Sequence, residues 1–304
     1  MNVLVVGGAG FIGSHLVDRL LAEGHSVDVV DDLSSGSLAN LAEARSAASS
    51  SGGTLKFHHL GVASSEAASL MGMRRPDVVY HLAAVPRGNP DVSQLSSAFA
   101  GTMALFDAVR SNRVAKVVVA LPASVIYGRP ANRDLPVKEQ PLEPRGSRGV
   151  VARATVDLLS SHREFDAVEF TALALTTVYG PRQRAELGVV AAFARAVEQR
   201  EAPVIVGDGR QTRDFLFVDD AVDALVRAGS KGSGLVVNIG TGEQTSIREL
   251  WDAMSTPASV APQYSPAAPD HVQRFSVSPI RARIHLSWSP WTSLGEGLAQ
   301  LRYR

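Results

Sequence analysis

Short runs of consecutive apolar residues, many of them β-branched, recur along the first part of the chain: Val3 to Val6, Val27 to Val30, Val78 to Tyr80, Lys116 to Leu121 and Thr171 to Leu175. Unbroken runs predict strands buried on both faces, because a strand with one wet face would alternate apolar and polar positions. Between the runs the period lengthens. From Ile12 to Glu23, Ile12, Leu16 and Leu20 share a helical stripe with Val17 and Leu21, and Gly24 follows as a stop. Strands alternating with helices predict an α/β fold, a doubly wound parallel sheet with helices on both sides.

Beyond about residue 180 the regularity loosens. Proline- and glycine-rich pieces such as APVIVGDG (202–209) and STPASVAPQYSPAAPD (255–270) predict a smaller, mixed α/β lobe on the substrate side. The expected division is 1–175 for the sheet domain and 176–304 mainly for the lobe, with the chain free to cross between them. The alanine- and serine-rich stretch from Ala42 to Gly53 reads as a surface loop. Trp288 and Trp291 are expected to pack the C-terminal lobe.

Composition narrows the function. Thirty basic and thirty acidic residues cancel, which removes the positive field that nucleic acid or an anionic membrane requires. With no cysteine, disulfides, thiolate zinc sites and cysteine nucleophiles are excluded. His58, His59 and His162 have no partner at ligand spacing, so no metal is expected. The opening NVLVV runs directly into glycines without a basic leader, and no segment approaches the roughly 18 apolar residues of a membrane span; a cytoplasmic location is expected.

Candidate chemistry begins at GGAGFIGS, Gly7 to Ser14, between the first strand and the first helix. Gly7, Gly10 and Gly13 let backbone approach a pyrophosphate, and the helix start beneath Phe11 and Ile12 attracts its charge. Asp31 and Asp32 end the second strand, with Asp31 placed 18 residues beyond Gly13 to hold ribose hydroxyls. A carboxylate there favours NAD(H), whereas Ser34 and Ser35 leave NADP(H) open. The fold implied is of Rossmann type.

These residues, together with HLAA (His81 to Ala84), VIYG (Val125 to Gly128), VYGPRQ (Val178 to Gln183), GDGRQTRDFLFVDD (Gly207 to Asp220) and NIGTGE (Asn238 to Glu243), resemble the extended short-chain dehydrogenase/reductase family, known for nucleotide-sugar epimerases and dehydratases. The resemblance implies a dinucleotide site that also uses Leu82, Ala83 and Ala84. It further implies a serine or threonine, a tyrosine and a lysine for catalysis, where this chain carries Ala123, Arg145 and Gly149. The family's supporting asparagine falls at Ala98, its substrate asparagine at Thr177, its adenine-binding aspartate at Gly61, and its arginine near Val272 reads Gln273, with Arg274 beside it. Arg182 and Arg213 match arginines that grip the substrate pyrophosphate, or stand as structural ion-pair residues.

Hydride transfer to a carbonyl creates an alkoxide that must gain a proton or be held by donors. Alanine and glycine do neither, and arginine is a poor proton shuttle. Ser124, Tyr127, Arg145 and Arg182 are therefore the substrate-pocket candidates, and Glu139 reads as a solvated acid. This set of losses resembles the angucyclinone ketoreductases of simocyclinone-type antibiotic biosynthesis. The leading expectation is an NAD(P)H-dependent ketoreductase of an aromatic polyketide whose substrate supplies the proton. Two alternatives stand beside it: a nucleotide-sugar epimerase or dehydratase with relocated catalytic groups, and a non-catalytic NAD-binding protein. The family's dimer interface falls on helices near 96–111 and 147–161, so a homodimer is also possible.

Overall fold

The computed structural model describes residues 1–51, 53–139, 142–267 and 272–301. Its centre is a seven-stranded parallel sheet in the order β11-β6-β5-β4-β1-β2-β3. These strands are β1 Asn2–Val6, β2 Ser26–Asp31, β3 Leu55–His59, β4 Val78–His81, β5 Lys116–Pro122, β6 Glu169–Leu175 and β11 Leu235–Ile239. Helices α1 Phe11–Ala22, α2 Ala42–Ser51, α3 Ser65–Arg74, α4 Val92–Ser111, the short α5 Ala123–Ile126, α6 Gly146–Asp166 and α8 Val218–Ala228 connect or cover them.

The pleat shows why the strands read as unbroken apolar runs. Val3 and Val5 enter one core with Leu16, Leu20 and Val222, while Leu4 and Val6 enter the other with Leu105, Phe106 and Leu159. Both layers are dry, so neither face of β1 tolerates a polar residue.

Residues after 175 supply β11 to the sheet and build the smaller lobe. That lobe holds β7 Thr177–Tyr179 beside β10 Phe215–Phe217, β8 Val204–Val206 beside β13 Gln263–Ser265, and β9 Thr212–Arg213 beside β12 Thr245–Ser246. Its helices are α7 Val189–Gln199, α9 Ile247–Met254, α10 Ile280–His285 and α11 Leu294–Ala299. Asp214 fastens this lobe to the sheet's carboxyl edge: it accepts from the Thr241 amide (2.9 Å) and hydroxyl (2.8 Å), and from the Gly242 amide (3.0 Å).

Three expectations change here. The stretch after Ala42 is helical rather than a loop, because alanine is a strong helix former and Ala44 buries against the core beside Leu41; Gly52 lies outside the described residues. Trp288 is buried, its indole N–H donating to the Asp220 carbonyl, but Trp291 is 56% exposed and packs no core. Glu139 is buried instead of solvated, accepting from the Asn238 amide at 3.2 Å. Among the described residues no helix is long and apolar enough to cross a membrane, and no three potential ligands cluster as a metal site. His58 and His162 instead meet Asp28 (2.8 Å) and Asp166 (2.7 Å).

Candidate active site

Ligands of doubly wound sheets bind outside the carboxyl ends of the strands where the strand order reverses, here between β1 and β4. At that edge Gly7 turns with φ of 81°, a backbone that side chains resist, and donates its amide to the Val30 carbonyl at 2.9 Å. Gly10 precedes α1 in extended backbone, and the Ser14 amide closes the first turn on the Gly10 carbonyl at 3.0 Å. A Cβ on Gly13 would collide with the Gly7 carbonyl oxygen, so loop and helix approach closer than any other residue permits. A concave helix start lined with amides results, which fits a pyrophosphate. Ala83 lies against Gly7, bringing the Leu82–Ala84 segment to the same place; Phe11 and Ile12 open α1 beside it.

Asp31 completes this end. Its carboxylate accepts from the Ala9 amide at 2.9 Å and the Leu33 amide at 2.8 Å, which locks it to the glycine loop. Burial pushes its carboxyl above the ordinary range, and the two amides pull the other way. Each carboxylate oxygen keeps a lone pair for a ribose hydroxyl. Asp32 is exposed and accepts from the Ser34 amide at 2.9 Å, and Ser34 and Ser35 face solvent. The donor and acceptor set therefore fits a dinucleotide.

The positions at which the family carries its catalytic side chains fall on α5 and at the start of α6. Ala123 is buried at the start of α5, and Ser124 is exposed beside it. Tyr127 does not reach the cleft as a pocket group: its buried hydroxyl donates to Asn238 Oδ1 at 2.7 Å. Burial, then the charge of Glu139, push its hydroxyl well above the usual tyrosine range. That hydrogen bond and its burial tie the ring to Asn238 on β11.

Arg145 caps α6 as an exposed residue, its stem against Gly128, which turns with φ of 64°. Gly149, one turn later, is buried. A Cβ there would lie 2.9 Å from Pro144 Cβ and 3.1 Å from the Val125 carbonyl oxygen, so the first atoms of a lysine have no room. Ala98, at the asparagine position, contributes only its carbonyl, which accepts from Thr102 Oγ1 at 2.9 Å. Thr102 also pairs at 2.9 Å with Nε2 of the buried His81, whose pKa burial lowers to about 4.

Arg182 is committed to two carboxylates. Its guanidinium donates to Asp18 on α1 (2.6 Å) and Glu43 on α2 (2.7 Å), the geometry of a structural ion pair. Arg213 is half-buried and donates to its neighbour's carbonyl, Thr212 O, at 2.7 Å; burial lowers its pKa. Gln273 uses its carbonyl to accept from the Thr212 amide at 2.8 Å, and Gly61 and Arg274 are exposed.

Two residues escaped the sequence reading. Arg87 follows Ala84 by three residues in the loop after β4, and Arg148 sits in the first turn of α6 beside Gly149. Among the described residues neither guanidinium has an ion pair or hydrogen bond, and Arg148 Nε is fully buried. The only signal was three arginines within RGSRGVVAR at 145–153.

Whole-chain comparisons agree with this geometry at its cofactor end. The chain is 38% identical to the UDP-glucose 4-epimerase of Mycolicibacterium smegmatis, over 99% of this chain and 97% of that protein. The structure of UDP-glucose 4-epimerase from Thermotoga maritima with UDP-glucose superposes with a TM-score of 0.91 at 31% identity, covering 99% and 97% of the two chains. That of the Thermus thermophilus enzyme complexed with NAD gives 0.88 at 28% identity, covering 100% and 99%. These relatives overturn the expectation of an aromatic-polyketide ketoreductase: likeness over the full length runs to nucleotide-sugar epimerases, and the missing triad, which motivated that expectation, is a property of three positions only. A model of the NAD dependent epimerase/dehydratase family matches residues 3–240, and the chain belongs to that NAD-dependent family.

Proposed function

We propose that this protein acts on a nucleotide sugar as an NAD-dependent epimerase of the 4-epimerase type, with proton handling that bypasses the family's tyrosine and lysine. The supporting observation is full-length likeness to UDP-glucose 4-epimerases together with an intact dinucleotide cradle. When bound, NAD supplies the acceptor and donor of hydride for the sugar carbon. Gly7, Gly10, Phe11, Ile12 and Gly13 would hold its pyrophosphate, Asp31 its ribose hydroxyls, and Leu82 to Ala84 would flank it.

Removing hydride from a carbinol carbon requires its hydroxyl proton to leave, and returning hydride requires the proton back. Ala123 and Gly149 cannot serve, and Tyr127 is committed to Asn238. Ser124 and Arg145, both exposed beside the cleft, hold the sugar oxygen as it gains negative charge, while the proton exchanges with water. Positioned acid–base groups contribute about 10²–10⁴-fold, so turnover falls below that of a triad-bearing epimerase by about this factor. A homodimer through α4 and α6, whose outer faces expose Met103, Val150 and Phe165, accompanies this reading.

Pro144 crowding the space beside Gly149, where the family carries its lysine, favours a second reading, a protein that holds NAD and a nucleotide sugar without turning it over. Proton NMR of the anomeric region separates the two. NAD-loaded protein given UDP-galactose should produce UDP-glucose slowly, and Ser124→Ala and Arg145→Ala should slow it further. Calorimetric binding of the nucleotide sugar with no conversion over days would establish the second reading, and absence of any nucleotide-sugar binding would sink both.

A further inference from the structure

The loop after β7 crosses back onto the cofactor helix, and the two match residue by residue. Phe11, His15 and Asp18 stand at i, i+4 and i+7 on α1, a single stripe of the helix. They meet Gly180, Pro181 and Arg182 in the same order. The Phe11 ring lies 3.6 Å from where a Cβ on Gly180 would be. His15 Nε2 is 3.0 Å from the Pro181 carbonyl and, since a carbonyl only accepts, donates to it. Arg182 donates to Asp18 at 2.6 Å and, beyond the stripe, to Glu43 at 2.7 Å. Glu43 is 66% exposed, so water screens its pair. The Arg182 side chain is only 12% exposed, and Asp18 Oδ1 is buried without a partner among the described residues. Arg182 also holds a left-handed backbone, φ of 64°, which residues other than glycine resist. The pair with Asp18 offsets both the strained backbone and the desolvated carboxylate.

This seam joins two parts of the cleft. On one side α1 begins at the glycine cradle, with Phe11 as its first residue. On the other, Gln183 Nε2 donates to the Val178 carbonyl at 3.1 Å, which closes the loop onto β7, so Arg182 and β7 move together. β7 in turn pairs with β10, and the Thr177 amide donates to the Asp214 carbonyl at 3.0 Å. With NAD on the cradle, the smaller lobe is the wall left for a nucleotide sugar. Resting on the nucleotide-sugar reading above, we infer that Arg182 is a positioning residue that couples the two ligands: its pair with Asp18 sets the lobe against α1, so a nucleotide held by the lobe tightens the cradle's hold on the dinucleotide. The converse follows, because coupling between two sites is reciprocal. The alternative state is an open seam, in which Arg182 leaves the left-handed region and the loop parts from α1. The guanidinium is spent on α1 and α2, so Arg182 acts through the seam and not by touching a ligand.

Release of NADH from the loaded protein, chased with excess NAD and followed by NADH fluorescence with and without saturating UDP, tests the assignment. UDP should slow release by about fivefold or more, the range for coupling between sites. Arg182→Gln and Asp18→Asn should each bring that ratio to about one. Arg182→Lys, which keeps the charge and loses the fork, should restore part of it, and Glu43→Gln should change it by less than about twofold. A release rate that ignores UDP in the unaltered protein, with UDP binding seen by calorimetry, overturns the inference and leaves the nucleotide-sugar reading intact. So does an Arg182→Gln protein that keeps the full ratio, even if it releases NADH faster throughout, because the seam would then be structural alone. Failure of UDP and UDP-galactose to bind at all overturns both. If Arg182→Gln does not fold, Asp18→Asn, which preserves the shape of the side chain, decides.

Discussion

At the glycine end of the cleft, recognition is made of backbone: the amides around Gly7 and Gly10, and the loop that Asp31 ties at Ala9 and Leu33. At the α5–α6 end, recognition in this family is made of side chains, and here they are alanine, arginine and glycine. The two ends sit on one sheet, yet they respond to substitution differently. A backbone cradle cannot lose its glycines without losing its shape, so cofactor motif and fold stand or fall together. Side chains that only move protons leave the fold intact when they go, since Ala123 stays buried in the core and Gly149 packs against Pro144.

The comparison breaks first at Gly13. Gly13→Ala puts a methyl into the Gly7 carbonyl, and NAD affinity should fall by at least about a hundredfold, read by fluorescence titration. Unchanged affinity would mean that the loop is not the cradle. His81 joins the two ends, since Leu82 to Ala84 follow it and its ring meets Thr102 on α4. Its pKa is about 4 in the fold against 6.5 ordinarily. Above pH 6.5 both folded and unfolded forms are neutral. As pH falls from 6.5 to 4 the unfolded chain takes up the proton first and stability drops, by roughly 1.4 kcal/mol per unit, or about 3 kcal/mol across the window. Denaturant melts from pH 7 to 4 should show this slope, and His81→Gln should flatten it. The smallest effect sharpens the contrast: Gly149→Lys should destabilise by about 1–3 kcal/mol through overpacking against Pro144, without raising turnover. A gain in epimerase rate from that single change would refute the claim that the site has closed.

How much of this was legible depended on range. Strands β1, β2, β4, β5 and β6 announced themselves because both faces are dry, whereas the edge strand β3, LKFHH, buries only partially and gives no apolar run. β11 lies in the C-terminal region where the pattern loosens, though it pairs with β6. Loss of the triad could be counted from motif register alone. The role of Tyr127 could not, because its partner Asn238 is 111 residues away. Nor could the buried Nε of Arg148, which has no hydrogen-bond partner among the described residues, a property of packing that no local window contains.

Pro144 gives the site a direction in sequence space. With its Cβ 2.9 Å from where the β-carbon of residue 149 would lie, any side chain at 149, a lysine included, requires the 142–145 segment to shift. A lysine introduced at 149 alone therefore meets a closed site. Space for that side chain opens only when the 142–145 segment and position 149 change together.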